Sequence, residues 1–364
     1  MRICFDRQIF TLLARGGISR IFADLIDGLP ASGLSVGLPF RWHGNAYLRA
    51  PGLTRLPLQV FQLGRRLGWE PAALPRPAAM PAAPGQGEGH SPTLLHATYY
   101  LSVPPPQLPC PLISTLHDMI PELLPEHAPL GRGAHRVHKQ AWLRASAAIV
   151  SVSASSAEAL TALAPDLAGR IRVIHHGSRF FAVRPRPCRR LPPRPFLLAI
   201  GRRGGYKNTD LLFRLLPHLP HGLVLVGGGP LSREESHSLR RCGLAGRVHL
   251  LDPDDGQLAW LYRHCTAVLV PSLAEGFSLP LIEALACDAP VLASDLPVHR
   301  EIGGTFATLL EPRDVAAWRR ALTGAAMPPR PSELLPSAAA ATLRRHFSLS
   351  RMLADYRRFY RSLV

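Results

Sequence analysis

The chain has 364 residues, with 42 Lys and Arg against 25 Asp and Glu, so its formal net charge is +17. Hydrophobic residues make up 47% of the sequence, too large a share for a disordered chain. No apolar run approaches the roughly 20 residues that a membrane-spanning helix needs. The basic excess favours an anionic partner: a nucleic acid, an anionic membrane surface or a phosphorylated substrate. Composition alone leaves these three open.

The N-terminal residues and the cysteines predict a cytoplasmic protein. Asp6 and Arg7 stand where a secretory signal peptide needs its apolar core. The 6 cysteines are scattered without a CxxC pair, which is typical of reduced thiols and not of a disulfide frame or a zinc site.

In the first half, short apolar runs alternate with helical patterns, as in parallel βαβ units. A helix is predicted over 18–29, and strands are predicted over 2–6, 34–39, 94–97, 111–116, 148–152 and 171–174. Residues 71–92 are dominated by Pro, Ala and Gly, which predicts a flexible loop. We therefore expect an N-terminal α/β domain over 1–183.

The second half repeats this rhythm after a segment rich in Pro and Arg at 183–195, which is typical of an extended interdomain linker. Strands are predicted over 196–201, 223–226, 248–251, 267–270 and 291–293. A Pro/Ala stretch at 325–341 precedes a last helix over 351–363. These patterns predict a second α/β domain over 184–345 and a separate C-terminal segment over 346–364.

The strongest candidate site is the loop 275–278, which follows the predicted strand at 267–270. A helix is expected to start near Pro280, with Ser278 or a neighbour as its N-cap. The amides of a helix start bind phosphate, and Glu275 and Glu283 can accept hydrogen bonds from hydroxyl groups. A phosphate between hydroxylated groups indicates a nucleotide sugar. The alternative, that both glutamates only complement the helix dipole, stays open.

The segment GRRGGYKN follows the predicted strand at 196–201. Arg202 and Lys207 can neutralise a diphosphate together. The Arg202 guanidinium can donate two parallel hydrogen bonds, and the Lys207 ammonium supplies a compact positive charge. Gly204 and Gly205 let the loop fold back so that both charges converge. A solvated basic turn is the alternative.

Two further candidates lie in the first half. Gly16 and Gly17 precede the predicted helix and permit close approach of a ligand, although a Gly pair is also a common turn. His117 follows a strand directly, and ligands of open α/β sheets bind beyond the carboxyl ends of the strands. A structural histidine, or a helix cap made with Asp118, is the alternative.

The DxD pattern of Asp252 and Asp254 could hold a divalent cation. Asp254 and Asp255 precede a helical pattern, however, so they are interpreted as helix caps. Neither a metal ion nor another cofactor is expected.

Together these stretches resemble the family-4 retaining glycosyltransferases. The resemblance runs through GGISRIF, HATYYL, STLHDMIPE, GRRGGYKN, VLVGGGP and EGFSLPLIEALAC, and its most specific element is the Glu275-x7-Glu283 pattern. It implies the GT-B fold, two Rossmann-like domains that face each other across a cleft. The terminal FSLSRMLADYRRFY resembles the family's last helix, which crosses back onto the first domain.

The resemblance also implies roles at matching positions. Two residues would act on the transferred sugar: His117 by contact near the reaction centre, and Glu275 by holding hydroxyls. The remaining residues would bind the donor: Gly16, Gly17, Arg202, Lys207, Gly276, Phe277, Ser278, Leu279 and Glu283. Among them, Glu283 would hold the ribose and the amides of 277–279 would meet phosphate. The chain departs from the family at Ser278 and Asp288, where Gly is usual.

The expected activity is transfer of a hexose, with mannose from GDP-mannose as the preferred donor, to a glycan or lipid-linked glycan in polysaccharide biosynthesis. The Arg-rich segments 184–194 and 351–361 would attract the inner face of an anionic membrane. A basic nucleic-acid-binding protein is the alternative from charge, although zinc-finger spacing and an RNP-like strand are lacking. A non-catalytic glycan-assembly partner of the same fold also stays open.

Overall fold

The computed structural model of the protein describes residues 1–66, 93–102, 104, 108, 110–127, 133–188, 193–323, 327–334 and 336–364. The chain forms two compact units. Unit 1 comprises Met1–Glu126, Leu130–His176 and Leu349–Val364, and unit 2 comprises His127–Pro129 and Gly177–Ser348. The divisions fall at 176/177 and 348/349, whereas the sequence placed them at 183/184 and 345/346. The loop predicted over 71–92 lies outside the described residues.

Unit 1 is an α/β unit. Its strands are β1 (Arg2–Phe5), β2 (Ser35–Gly37), β3 (Trp42–His43), β4 (Thr54–Arg55), β5 (Thr93–Ala97), β6 (Leu112–Leu116), β7 (Ala148–Ser151) and β8 (Ile171–Val173). Its α-helices are α1 (Gln8–Leu12), α2 (Gly17–Gly28), α3 (Leu58–Arg66), α4 (Ile120–Leu123), α5 (Ala134–Ala145), α6 (Ala154–Leu163) and, at the C-terminus, α15 (Leu349–Arg361).

The main sheet of unit 1 is parallel, in the order β2-β1-β5-β6-β7-β8. Its central strands β5 and β6 are buried throughout, as expected of strands covered on both faces. The strand order reverses between β1 and β5, so this unit offers a ligand crevice beyond the carboxyl ends of those two strands. The short strands β3 and β4 pair separately and were not predicted.

The C-terminal helix α15 belongs to unit 1 because its apolar face packs there. Met352, Tyr356, Phe359 and Tyr360 are buried at helical spacing. The Tyr360 hydroxyl lies 2.6 Å from Nδ1 of His96 in β5, and Leu353 packs so closely on Gly28 of α2 that a Cβ there would lie 2.4 Å from its Cδ1.

Unit 2 is also an α/β unit. Its strands are β9 (Phe196–Ile200), β10 (Gly222–Val226), β11 (Val248–Leu251), β12 (Ala267–Val270), β13 (Val291–Ser294) and β14 (Thr308–Leu310). Its α-helices are α7 (Thr209–Leu215), α8 (Arg233–Arg241), α9 (Asp255–His264), α10 (Leu279–Ala286), α11 (Pro297–Gly303), α12 (Val315–Ala321), α13 (Pro331–Leu334) and α14 (Pro336–Phe347).

The sheet of unit 2 is parallel, in the order β11-β10-β9-β12-β13-β14. Numbered along the unit, this is the 3-2-1-4-5-6 order of the Rossmann fold, whose ligand crevice lies where the order reverses. That point is between β9 and β12. Leucines of the sheet, such as Leu197, Leu225 and Leu269, form a buried core with Trp318 of α12. The strands predicted in both halves are confirmed, with bounds that differ by a residue or two.

The prediction of an interdomain linker at 183–195 was wrong. The described part of the expected linker packs within unit 2, where the Arg186 amide donates to the Gly256 carbonyl (2.9 Å) and its guanidinium pairs with Asp254. The Pro/Ala stretch at 325–341 contains α13 and the start of α14, because Pro suits a first helical position and Ala favours the helix interior. Within the described residues, no helix is both long enough and apolar enough to cross a bilayer.

Candidate active site

The loops that follow β9 and β12 are held together at the point where the strand order of unit 2 reverses. The Leu273 amide donates to the Tyr206 carbonyl (2.7 Å). The Asn208 side-chain amide donates to the carbonyls of Pro271 (3.0 Å) and Pro312 (2.9 Å), from a left-handed backbone with φ of 51°. These hydrogen bonds bring the two sequence-predicted donor loops to one place.

A cleft opens at these loops. Its lining includes Arg202, Lys207, Ser272 and Pro280. Arg202 is exposed and makes no hydrogen bond within the described part of the chain, so its guanidinium is free to meet an anion. Gly204 has a φ of 77°, a conformation that glycine adopts without a steric penalty.

Lys207 and Glu275 form the central pair of the cleft. The Lys207 ammonium lies 2.5 Å from Oε1 of Glu275, and the Ser272 hydroxyl donates to the same oxygen at 2.7 Å. Both hydrogen bonds therefore end on Oε1. Oε2 accepts none from the described residues, which leaves it able to accept a hydrogen bond from a ligand hydroxyl.

Glu275 is ionised at neutral pH although it is buried. Burial raises the pKa of this carboxyl, but the charges of Lys207 and His299 and the hydrogen bonds from Lys207 and Ser272 act more strongly in the other direction. The net result is a pKa below the ordinary value for glutamate. The carboxylate is therefore a hydrogen-bond acceptor and not a proton donor.

The helix α10 starts at Leu279, beside Pro280, and Ser278 occupies its N-cap position. Ser278 is therefore the N-cap, as predicted, but its side chain makes no capping hydrogen bond. Its backbone is left-handed, with φ of 82° and ψ of 72°, and an N-cap side chain reaches the helix amides from an extended backbone. Its hydroxyl is buried without a partner.

The neighbours of Ser278 extend the loop. Gly276 and Phe277 lie between Glu275 and the helix, and the buried Phe277 ring makes an edge contact with Phe347 of α14 (6.3 Å between centroids). This contact fixes the loop against unit 2 while the amides of 277–279 remain at the start of α10.

Glu283 lies in α10 and is buried. Its Oε2 accepts a hydrogen bond from the Tyr262 hydroxyl of α9 at 2.8 Å. Burial and the Glu283 charge raise the pKa of Tyr262 well above its ordinary value, so the phenol stays protonated and donates. The structure thus places Glu275 and Glu283 in the same segment but gives each its own protein partner.

Two residues of this region were missed from the sequence. Arg203 pairs with Glu235 (2.9 Å) and donates to the carbonyls of Gly227 (3.1 Å) and Gly229 (3.0 Å). A Cβ on Gly228 would lie 2.8 Å from its Nη1. Of the two adjacent arginines, Arg203 therefore stabilises the glycine turn after β10. The sequence alone does not distinguish its role from that of Arg202.

His299 is the second missed residue. Its Nδ1 donates to the Ser294 carbonyl (2.7 Å), and its buried Nε2 has no partner. Burial lowers the pKa of His299, while the Glu275 charge partly opposes this shift. His299 is therefore a neutral imidazole with a free lone pair, and it follows β13. In the sequence, only its position after a predicted strand indicated a functional role.

Gly16, Gly17 and His117 belong to unit 1, whereas the residues above belong to unit 2. Gly16 is the N-cap of α2 and Gly17 is its first residue. A Cβ on Gly16 would lie 3.1 Å from Cδ1 of Leu13. Phe22 of α2 makes an edge contact with the His117 ring (5.9 Å), so helix and histidine are neighbours within this unit.

His117 is buried at the end of β6. Its Nε2 lies 3.2 Å from the Thr98 carbonyl, which can only accept, and its Nδ1 is buried without a partner. Burial lowers the pKa of His117 to about 3, although the Thr98 hydrogen bond acts in the opposite direction. At neutral pH it is an uncharged ring whose Nδ1 can accept a hydrogen bond.

A buried network at the ends of β1 and β5 was also missed. Asp6 accepts hydrogen bonds from the amides of Gln8 (3.0 Å) and Thr98 (3.2 Å) and from both their side chains. Burial raises the pKa of Asp6 to about 6, while these hydrogen bonds lower it. The network ties together the loops where the strand order of unit 1 reverses.

Asp254 serves as a helix cap, as predicted. Its side chain accepts from the Gln257 amide (3.0 Å), and the Asp254 amide donates to Oε1 of Gln257 (3.1 Å), which completes a capping box. No cluster of His, Cys, Asp and Glu among the described residues could hold a metal ion.

Comparison with protein families identifies the chain. A model described as Glycosyltransferase Family 4 matches residues 15–178, and one described as Glycosyl transferases group 1 matches 189–325. The chain belongs to glycosyltransferase family 4. The matched segments contain every residue of the candidate site, from Gly16 to Glu283.

Curated relatives of this family-4 chain are longer than the matched part. A D-inositol 3-phosphate glycosyltransferase of Mycobacterium avium (strain 104) is 34% identical over 213 residues, 53% of this chain and 50% of that protein. The serotype-specific mannosyltransferase WbdA of Escherichia coli is 30% identical over 265 residues, 65% of this chain and 31% of that protein. The chain therefore spans half or less of their lengths.

Solved structures support the GT-B fold. Sucrose-phosphate synthase from Thermosynechococcus elongatus has a TM-score of 0.67 and 17% identity, covering 100% of this chain and 98% of that one. Anabaena HepE in complex with UDP-glucose has a TM-score of 0.65 and 17% identity, with 100% of both chains covered. At this identity the likeness concerns the fold.

Proposed function

We propose that this protein is a retaining glycosyltransferase that transfers a hexose from a nucleotide sugar to a glycan acceptor in polysaccharide biosynthesis. The observation that carries the proposal is the Lys207–Glu275 pair in the crevice of unit 2, with Oε2 of Glu275 open to a ligand. A cation beside an ionised carboxylate suits a ligand that carries phosphate next to hydroxyl groups. Nucleotide sugars have this chemistry.

The sugar and the acceptor are the finer parts of the proposal. Mannose from GDP-mannose is favoured by the mannosyltransferase among the relatives, which is 30% identical over 265 residues. A lipid-linked glycan is the proposed acceptor, because the strongly basic chain suits an anionic surface.

Cleavage of the donor leaves negative charge on the nucleoside diphosphate. The exposed Arg202 guanidinium, the Lys207 ammonium and the amides at the start of α10 would stabilise that charge. These groups make a metal ion unnecessary in the proposed reaction. Glu275 would orient the sugar through hydroxyls, and Glu283 would hold the ribose.

The acceptor hydroxyl must lose a proton as the new bond forms. Both neighbouring protein groups are weak bases, because the pKa of Glu275 lies below its ordinary value and burial lowers the pKa of His117 to about 3. We therefore assign the proton to the leaving phosphate oxygen, on the face of the sugar where the acceptor attacks. His117 would accept a hydrogen bond from the transferred sugar through Nδ1.

A donor screen tests the proposal. Purified protein is mixed with GDP-mannose, UDP-glucose and other sugar nucleotides, and the melting temperature and nucleotide release are followed. We expect GDP-mannose to raise the melting temperature, since a ligand of the folded state stabilises it. Release should continue in EDTA. If no sugar nucleotide shifts the melting curve, the proposal fails; a shift with UDP-glucose alone would overturn only the choice of mannose.

Variants then locate the site. Arg202→Ala should weaken donor binding about tenfold without loss of stability, because this side chain has no partner in the described protein.

Glu275→Gln should lower turnover, and unchanged turnover would favour a non-catalytic partner. Lys207→Ala is a poorer test because it leaves the buried Glu275 charge unpaired and so should also destabilise the fold. Arg233→Ala, on the exposed face of α8, is the control.

A further inference from the structure

A second cavity lies in unit 1, between the helices α4, α5 and α6. Its empty space is about 380 Å³, part of it open to solvent, which suits a small molecule. The buried part of its lining is apolar and includes Leu143, Leu160 and Leu167, which belong to one hydrophobic cluster. The exposed part includes Gln140 and Leu163. The cavity therefore offers an apolar interior that is reached from the surface of the unit.

A buried ion pair interrupts this apolar lining. The Lys139 ammonium of α5 lies 2.5 Å from Oε2 of Glu122 in α4, and the two side chains are only 2% and 5% exposed. The same ammonium donates to the Asp118 carbonyl (2.9 Å) and lies 3.9 Å from Sδ of Met119. Each of its three N–H groups therefore has a protein neighbour, and Lys139 is not available to a ligand.

Glu122 differs from Lys139 in this respect. Its Oε2 accepts from the ammonium, whereas its Oε1 is buried without a hydrogen-bond partner. A carboxylate oxygen that leaves water without gaining a donor is unfavourable. Among the buried side-chain atoms of the described lining, Oε1 of Glu122 alone lacks a partner. The cavity wall thus carries one polar atom that a ligand can satisfy.

The chemistry of the wall selects the ligand. It must donate a hydrogen bond, because an ionised carboxylate only accepts. It should be uncharged, because Lys139 already balances the charge of Glu122 and a further ion in an apolar cavity would have no counterion. A buried water makes about three hydrogen bonds, whereas this wall offers a single unpartnered atom. A hydroxyl group on an aliphatic chain fits both the carboxylate and the apolar interior.

We propose that this cavity binds a small aliphatic alcohol, whose hydroxyl donates to Oε1 of Glu122 and whose chain packs on the three buried leucines. The site adjoins the segment of His117, since Lys139 donates to the carbonyl of the next residue, Asp118. None of the described lining residues belongs to the candidate active site. A failed donor screen would therefore leave this proposal standing, and absence of alcohol binding would leave the proposed function standing.

Methyl NMR of the full chain tests the proposal. The methionine methyl groups are labelled with carbon-13, and the signal of Met119, which lines the cavity, is assigned with Met119→Leu. Hexanol is the probe, and chlorohexane is the comparison that cannot donate a hydrogen bond. We expect hexanol to shift the Met119 signal saturably and to leave Met352, buried in α15, unchanged. No saturable shift of Met119, or an equal shift of Met352, would overturn the proposal.

Variants of two exposed leucines locate the binding. Leu163 is 61% exposed and lines the cavity, so Leu163→Trp should obstruct the cavity without disturbing the core. Leu123 of α4 is 57% exposed and is not among the described lining residues, so Leu123→Trp is the matched control. We expect hexanol affinity to fall about tenfold in the first variant, because apolar contacts of the chain are lost, and to stay unchanged in the second. Equal affinity in the two variants would contradict binding at this place.

Recognition of the hydroxyl is tested by removing the ion pair. Glu122→Leu/Lys139→Met replaces both charges with apolar side chains, so that neither ion is left unpaired. The ratio of hexanol to chlorohexane affinity should fall about tenfold from its wild-type value, because a hydrogen bond to a charged group is lost. Chlorohexane should still bind, which shows that the cavity persists. An unchanged ratio would refute the role of Oε1, and the Leu163→Trp comparison decides even where this double variant does not fold.

Discussion

Ser278 is in an unfavourable conformation at the start of α10. A left-handed backbone costs a non-glycine residue of the order of 1–3 kcal/mol, and its buried hydroxyl has no hydrogen-bond partner. Such costs are concentrated at functional sites. The sequence analysis named this position as an N-cap, as a donor-binding residue and as a departure from the family's Gly. The backbone angle explains why Gly is suited to it.

Ser278→Gly should therefore stabilise the protein. We expect the free energy of unfolding to rise by about 1 kcal/mol, because glycine adopts this φ without strain and removes the unpaired hydroxyl. Urea denaturation measures the change. Ser238→Gly, at an exposed position in the middle of α8, is the matched control and should lower stability by about 0.5 kcal/mol. Destabilisation by both substitutions would contradict the strain at Ser278.

At the scale of elements, Asp288 connects two helices. It follows α10 with a φ of 59°, where the family's Gly would also fit. Its carboxylate accepts from the amide (2.8 Å) and hydroxyl (2.7 Å) of Ser332 in α13, and its carbonyl accepts from Arg330 (2.8 Å). The side chain that replaces the family's Gly therefore anchors a distant segment.

Asp288→Gly should loosen α13 while relieving backbone strain at its own position. We expect faster amide hydrogen exchange in peptides spanning 330–334, with little change in α10, because the Ser332 amide loses its acceptor. Asp288→Asn is the control, as it retains an acceptor oxygen and should keep the protection. Unchanged exchange in the glycine variant would show that the carboxylate does not hold this segment.

Element type was largely predictable, and the exceptions have physical causes. The buried strands were found because continuous apolar runs are required when both faces are covered, as in β5 and β6. The two-residue strands β3 and β4 and the partly buried β14 lack that signal. No element was predicted in the Pro/Ala stretch, where Pro331 and Pro336 each begin a helix.

At the scale of the whole molecule, buried histidines make stability depend on pH. Burial lowers the pKa of His96 and of His117 to about 3, and both lie in unit 1. The unfolded chain titrates near 6.5, so it binds more protons than the folded protein between these values. Stability is therefore full above about pH 6.5 and is lost as the pH falls toward 3.

We expect the free energy of unfolding to fall by up to about 1.4 kcal/mol per pH unit for each of these histidines below pH 6.5. Urea denaturation at pH 7, 6 and 5 measures the slope. His96→Gln should remove the contribution of one titrating group from the slope of stability against pH. It also removes the hydrogen bond to Tyr360 and so lowers stability at every pH. The exposed His237→Gln is the control. An equal pH slope in the wild type and the His96→Gln variant would refute the buried, neutral state of His96.

The sequence by itself determined the α/β class, most strands and the loops that carry the candidate site, because apolar runs and glycine positions are local properties. It could not tell Arg202 from Arg203 or pair Lys207 with Glu275. Lys207 and Glu275 are 68 positions apart, and only the adjacency of β9 and β12 brings them together. Exposure and ion pairing depend on such distant neighbours, so the tertiary structure alone decided which of the many arginines remain available for an anionic partner.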